Sequence, residues 1–329
     1  LLAGRNLDAA VTRDVMATIL RGDATAAQIA GFLVALRAKG EHVDELTGLL
    51  DGALDEATFV PLTDHERASC VDIVGTGGDG SHSINVSTMA ALVIAGAGVP
   101  VCKHGNRSAS SKCGSADLLE LLGVAIELGA DGVAACVRTA GIGFCFAPVF
   151  HPAFRFAGPP RREIGVPTAF NLLGPMANPG RVRRQVIGVA DPRFVEPMAL
   201  TLQRQGLSHA WVVHGEGLDE LTTTGPSMVL ALADGEISEF TLDPADLGLR
   251  PATADDLRGG DPEENADAVR RVLAGEHGPH RDIVVLNAAA GLVVGGAVAD
   301  IAGGLEVACS AIDDGRARAA LEALVRVSR

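Results

Sequence analysis

Apolar residues recur at three- and four-residue steps through the first 65 or so positions, then give way to short apolar runs separated by glycine-rich or polar loops. Val11, Val15 and Ile19 fall four apart. Thr25 with Gln28 forms a capping-box pair ahead of Ile29, Phe32, Leu33 and Leu36, and Val43, Leu46, Leu50 and Leu54 make a third stripe. The pattern predicts three short amphipathic helices, whose apolar faces need a partner, either the body of the protein or a second copy of the chain. Pro61 to Arg67 reads as a hinge. Residues 1–66 are therefore expected to form a small helical domain, joined by a later helical excursion around 150–175, and residues 67–329 a larger α/β domain with a mostly parallel central sheet.

The second part alternates strand and helix. Val71 to Val74 predicts a strand, the residues after Asn85 a helix, Val99 to Cys102 a strand, and Ala116 to Leu122, closed by Gly123, a helix. Helix 131–140, strand 142–146, strand Gln185 to Val189, helix 192–205 and strand Ala210 to Val213 follow. Met228 to Ala233 and Glu236 to Thr241, joined by Asp234-Gly235, predict an antiparallel hairpin. Helix 262–274, a strand at Asp282 to Leu286 and two C-terminal helical segments complete the chain. Such interleaving implies a buried, largely parallel sheet with ligands at the carboxyl ends of its strands.

Two loops stand at such ends. Gly75-Thr76-Gly77-Gly78-Asp79-Gly80 places four glycines in six residues, which allows positive φ and close approach of backbone to a ligand. Asn85, Ser87 and Thr88 then stand where the next helix starts, so its N–H groups and positive dipole end are expected to face the loop as an anion site. The second loop, Lys103 to Ser115, brings positive charge in Lys103, Arg107 and Lys112 and hydroxyl donors in its serines, with Ser115 as the expected helix cap.

Composition narrows the partners. The formal net charge of −14 argues against a general nucleic-acid or anionic-membrane surface, so a phosphate ligand must be held locally. The six cysteines, at 70, 102, 113, 136, 145 and 309, show no C-x-x-C pair and no zinc spacing, which is the usage of reduced thiols in a cytoplasmic protein. The longest charge-free run, roughly 80–102, opens with Ser, His and Asn and contains Gly and Pro. It reads as buried helix and strand rather than a membrane span.

Four stretches, GTGGDG with NVST, KHGNRSASSKCGSADLLELLG, NLLGPMANP and HGEGLDELTTTGP, occur in that order. Together they resemble the signatures of the anthranilate phosphoribosyltransferase family, of the nucleoside phosphorylase and phosphoribosyltransferase superfamily, over nearly the whole chain. The resemblance implies a helical and an α/β domain with a cleft between them, a homodimer, and anthranilate and phosphoribosyl pyrophosphate as substrates. It places phosphoribosyl pyrophosphate against Gly75, Gly78, Asp79, Ser83, Asn85, Val86, Ser87 and Thr88. On the second loop it adds Lys103, His104, Gly105, Asn106, Arg107, Ser108, Ala109, Ser110, Ser111 and Ser115. It assigns anthranilate to Gly75, Asn106 and Arg161, and Mg2+, two ions per subunit, to Ser87, Asp219 and Glu220. Hard carboxylate oxygens after a strand end suit magnesium with pyrophosphate. Glu216 could join them.

A planar guanidinium can clamp a carboxylate in two bonds, so Arg rather than Lys suits the acceptor; Arg162 is the rival within the motif. Pro159-Pro160 departs from the family pattern and must alter the local helix start. Ser83, where Thr is common, and Cys113, where Ser is common, are milder departures. Phe144, Phe146, Phe150, Phe154 and Phe156 could line an apolar tunnel, though core packing is the expected role for most. His104 and His151 are open between substrate contact and structure. No covalent nucleophile is expected. Rival readings are a related phosphoribosyltransferase or nucleoside phosphorylase with another acceptor, and a non-catalytic nucleic-acid-binding relative, against which the acidic balance speaks.

Overall fold

The computed structural model describes residues 1–108 and 112–329, so the expected phosphate-loop residues Ala109, Ser110 and Ser111 lie outside the described residues. Three helices open the chain: α1 (Ala9–Leu20), α2 (Ala26–Lys39) and α3 (Val43–Asp55). Thr25 and Gln28 form the capping box of α2, and His42 with Glu45 forms another on α3. The expected hinge is partly a helix, α4 (Asp64–Ser69), started by a Thr63–Glu66 capping box that the sequence reading passed over.

The sheet alternation follows: β1 (Val71–Gly75), α5 (Val86–Gly96), β2 (Val101–Gly105), α6 (Ser115–Leu121), α7 (Ala130–Ala140) and β3 (Ile142–Phe146). Next come α8 (Ala147–Phe150), α9 (Gly158–Ile164), α10 (Ala169–Met176), β4 (Arg184–Gly188), α11 (Val195–Arg204) and β5 (His209–His214). The hairpin β6 (Ser227–Ala233) and β7 (Glu236–Leu242) precedes α12 (Pro262–Leu273), α13 (Pro279–Val294), α14 (Ile301–Asp313) and α15 (Arg316–Ser328).

The seven strands form one sheet in the order β3-β2-β1-β4-β5-β6-β7, parallel through β5 and antiparallel thereafter. The chain runs outward from β1 to β2 and β3, then returns to lay β4 on the other side of β1. That reversal opens a crevice beyond the carboxyl ends of β1 and β4, where ligands of parallel sheets bind.

Alternate residues of the strands feed two cores. Ile73, Val101, Phe144, Val186 and Val213 pack beneath α5, α13, α14 and α15. Ile187, Val189, Ala210 and Val212 face the other way, into a core shared by α11, α10 and the N-terminal helices through Met16, Ile19, Leu33, Leu36, Leu46 and Leu50. The body of the chain thus covers most of the apolar surface of α1 to α3, leaving Val11 44% and Val34 47% exposed.

Three expectations are corrected. Asp282 to Leu286 is not a strand but the first turns of α13: Pro279 stands at its N-terminus, and the apolar run continues through Val294 on a helix buried nearly all round. Strand β2 extends to Gly105, so Lys103 and His104 belong to the strand rather than to the loop. Ser115 is the first residue of α6, capped by Gly114, and its Oγ donates to the Asn106 carbonyl at 3.2 Å.

Candidate active site

The crevice is built on a pair of glycines. Gly75 at the end of β1 and Gly188 at the end of β4 are register partners, and Asp219 lies across both. A Cβ on Gly75 would run into the Asp219 carboxylate, and one on Gly188 into its backbone carbonyl. Glycine at both strand ends therefore lets a residue 144 positions from Gly75 in sequence reach the first loop. There the Asp219 Oδ2 accepts from the Gly77 N–H at 2.6 Å. The next residue, Glu220, is 8% exposed and accepts from the Ser87 N–H at 3.0 Å through Oε1.

That last bond amends the expected anion site. Of the N–H groups at the start of α5, Val86 donates to the Ile84 carbonyl and Ser87 to Glu220, so the positive helix end is occupied by a carboxylate of the chain. Asn85 caps nothing with its side chain, which instead donates to the Cys113 carbonyl at 3.1 Å and ties the first loop to the second. Thr88 is buried, and its Oγ1 meets no partner among the described residues. Asp79 accepts from the N–H and hydroxyl of Ser81, at 3.1 and 2.7 Å, and Ser81 Oγ accepts from the Ser83 N–H at 3.2 Å.

Lys103 is 2% exposed, the most buried cation of the site. Its Nζ donates to the Ile73 carbonyl at 2.5 Å and to Ser87 Oγ at 3.3 Å, which aims it between β1 and the start of α5. Burial lowers its pKa, while Asp72, Glu220 and Asp219 oppose that shift. Burial and neighbouring carboxylates push the acidic pair the other way: desolvation and then Asp79 raise Asp219, and desolvation and then Asp219 raise Glu220, with Lys103 working against it. The carboxylates of two consecutive residues, Asp219 and Glu220, beside the Ser87 hydroxyl supply hard oxygen donors of the kind that Mg2+ takes.

Arg107 departs from its expected use. Its guanidinium donates to Asp117 at 2.8 Å and to Glu120 at 2.8 and 3.2 Å, on α6, so the charge is already paired. Asp117 also accepts from the N–H groups of Ser108 and Gly114, at 3.1 and 2.9 Å, closing the base of the second loop. Asn106 sits exposed between Gly105 and this closure, its Oδ1 accepting from the Arg107 N–H.

From His104 a row of rings leads to Arg161. The His104 and His151 rings lie 5.2 Å apart, His151 and Phe154 5.0 Å, and Phe154 meets Phe170 edge-on at 5.3 Å. The Arg161 guanidinium sits 5.0 Å above Phe170 and reaches Asn171 Oδ1 at 3.5 Å; burial lowers its pKa. Both histidines are held neutral by burial, His151 at about 4 and His104 well below the usual imidazole value. His104 Nδ1 pairs with the Gly174 carbonyl at 3.0 Å and His151 Nε2 with that of Ala177 at 2.8 Å; the other ring nitrogens, His104 Nε2 and His151 Nδ1, meet no partner among the described residues. Pro159 and Pro160 occupy the first turn of α9, where no intrahelical donor is needed, so they are accommodated ahead of Arg161. Phe144, Phe146 and Phe150 are buried, and Phe154 alone of the five joins the row. Glu216 turns away to accept from Thr224 Oγ1 at 3.1 Å.

Two supporting residues belong to no pattern that the sequence displays. Asp72, fully buried and raised to about 6 by desolvation, accepts from the His104 N–H at 3.2 Å and from Asn178 Nδ2 at 2.7 Å. Asn287, a lone polar residue in the apolar run of α13, pairs with both the N–H and the carbonyl of Leu221, at 3.0 and 2.8 Å, next to Glu220.

Residues 1–57 match the glycosyl transferase family helical bundle domain and residues 67–318 the glycosyl transferase family a/b domain. The anthranilate phosphoribosyltransferase of Salinispora arenicola is 53% identical, the match covering 100% of this chain and 94% of the relative. This chain belongs to the anthranilate phosphoribosyltransferase family. The crystal structure of the family's enzyme from Thermus thermophilus superposes with a TM-score of 0.93 at 42% identity, over 100% of this chain and 98% of that one. The anthranilate phosphoribosyltransferase of Saccharomyces cerevisiae, in complex with PRPP and Mg, gives a TM-score of 0.89 at 27% identity over 98% of this chain and 93% of that one. The same yeast enzyme is also known in complex with 4-fluoroanthranilate.

Proposed function

We propose that this protein transfers the 5-phosphoribosyl group from phosphoribosyl pyrophosphate to the amine of anthranilate, releasing pyrophosphate, in the second step of tryptophan biosynthesis from chorismate. The observation that carries the reading is Asp219 seated on the Gly75–Gly188 pair and bonded to the glycine loop, with Glu220 bonded to the start of α5, so that two adjacent carboxylates meet the loop and the helix it feeds. The loop from Gly75 through Gly78, Asp79 and Ser83 to Asn85–Thr88, and the segment from Lys103 through Asn106 and Ser108 to Ser115, hold the two phosphate groups of the sugar. Arg107 contributes there by closing the base of the second loop through its pairs with Asp117 and Glu120. Each charge-assisted hydrogen bond is worth about 1.5–3 kcal/mol, so a handful binds the ligand without help from net charge.

Ser87, Asp219 and Glu220 would hold magnesium, two ions per subunit, which when bound would neutralise charge on the departing pyrophosphate. Lys103 adds a buried ammonium to the same end. The acceptor needs no base to activate it, because an arylamine is uncharged at neutral pH. Arg161 clamps the anthranilate carboxylate, Asn106 and the Gly75 backbone orient the amine, and the His104–His151–Phe154–Phe170 row excludes water from the ring.

The helical unit, residues 1–66 with the excursion near 150–175, and the sheet domain, 67–329, would then close on the two substrates. The exposed Val11 and Val34 support a homodimer through that helical unit, which light scattering tests by a mass of twice 33.7 kDa. Among the described residues no cysteine forms a disulfide, consistent with a cytoplasmic protein, and no helix is long and apolar enough to cross a membrane. The direct assay follows anthranilate fluorescence with phosphoribosyl pyrophosphate and magnesium, omitting each in turn. The reading requires loss of signal only when all three are present; loss without phosphoribosyl pyrophosphate, or none with the full mixture, contradicts it.

A further inference from the structure

The segment between β7 and α12, Leu257 to Asp261, takes no part in the reaction described above, yet it is laced to the first loop. Gly259 N–H donates to the His82 carbonyl at 2.8 Å, Ile84 N–H donates to the Leu257 carbonyl at 3.0 Å, and Ser83 and Arg258 form an isolated antiparallel bridge. Leu257 and Ile84 are both buried, at 1% and 2% exposure, so the strap is anchored in the core. A Cβ on Gly259 would lie 2.9 Å from the Ser83 carbonyl oxygen, 3.0 Å from the Ile84 nitrogen and 2.5 Å from Asn265 Oδ1, so only glycine lets the strap lie this close.

Asn265, on the first turn of α12, locks the strap from behind. It is 2% exposed, and its Nδ2 donates to the Gly260 carbonyl at 2.9 Å and the Asp261 carbonyl at 3.1 Å. Its Oδ1 is buried with no partner among the described residues. The side chain faces a cavity of about 90 Å³ whose walls are His82 and Ser83 of the first loop and Lys112 and Cys113 of the second. The amide also acts on the Cys113 thiol, working against the rise that burial imposes on it. A buried amide that bonds the strap through its nitrogen and turns its oxygen toward the cavity between the two substrate loops is placed to hold all three in register.

We propose that Asn265 is a positioning residue for phosphoribosyl pyrophosphate: through the strap Leu257–Gly260 and the shared cavity it sets the spacing of the two loops that grip the ligand. The proposal rests on the function assigned above. Two variants approach it from opposite sides, Asn265→Ala removing the lock and Gly259→Ala pushing the strap off Ser83. Each is expected to raise the KM for phosphoribosyl pyrophosphate about 10-fold, with kcat and the KM for anthranilate at saturating phosphoribosyl pyrophosphate within about 2-fold of wild type. Amide hydrogen exchange on the same proteins is expected to quicken by about 10-fold across residues 82–88 and to stay unchanged in β4 and β5. An unchanged KM for phosphoribosyl pyrophosphate, or an equal rise in both KM values, overturns the proposal, as does unaltered exchange at 82–88 in both variants. Wild-type protein inactive with these substrates would sink the reaction assignment, while the exchange data would still decide whether the strap sets the loop.

Discussion

Arg161 and His151 show how little of a side chain's role its residue type decides. The guanidinium is placed over Phe170 by a helix that two prolines start, and its one side-chain hydrogen bond among the described residues is a long one, to Asn171. That leaves most of its donors for an acceptor carboxylate. Arg161→Ala is expected to raise the KM for anthranilate about 10- to 150-fold, the loss of a charge-assisted pair worth about 1.5–3 kcal/mol, with the KM for phosphoribosyl pyrophosphate within about 2-fold. Equal weakening toward both substrates in steady-state kinetics would remove Arg161 from the acceptor pocket. His151 carries a pH signature instead. Burial lowers its folded pKa to about 4, below the unfolded value of about 6.5, so the stability it leaves intact above pH 6.5 is lost as pH falls toward 4. The loss is on the order of 3 kcal/mol when fully developed. Thermal melts should show His151→Asn closing its gap to wild type between pH 7 and pH 5; a constant gap would mean that the ring does not titrate there.

At the scale of elements, the helices with caps and stripes were legible, and so were the strands flanked by glycine. Thr25 with Gln28 and the Asp234-Gly235 turn fall where their local chemistry puts them. Two of the failures share a physical source: burial on all sides removes the period. Ile283-Val284-Val285-Leu286 reads as a strand because β-branched residues favour sheets, yet it opens a 16-residue helix whose interior faces the sheet. Lys103 reads as a loop cation because lysine is almost never buried, and it lies inside β2 because Asp72, Asp219 and Glu220 surround it. The same buried helix supplies Asn287, which holds the backbone of Leu221. Asn287→Ala would leave those two groups unpaired, at a cost of about 1–3 kcal/mol each. A lower melting temperature together with a raised magnesium requirement is expected. A melting change alone would make Asn287 a purely structural residue.

The site exists only at the scale of the whole molecule. Motifs made the two loops and the acidic pair visible in the sequence, but nothing local says that residues 75, 188 and 219 meet. That follows from the strand order, which reverses at β1 and β4 and leaves room for one carboxylate above two glycines. The measurement that reaches this claim most directly is calorimetric binding of phosphoribosyl pyrophosphate to wild type and Gly188→Ala over a magnesium series. Gly188 is itself no expected ligand and the substitution changes no charge, but its methyl group would run into the Asp219 backbone and displace that residue. Binding in the variant is expected to need about 10-fold more magnesium or more to reach the wild-type affinity. A variant that is folded and binds with the wild-type magnesium dependence would contradict the account.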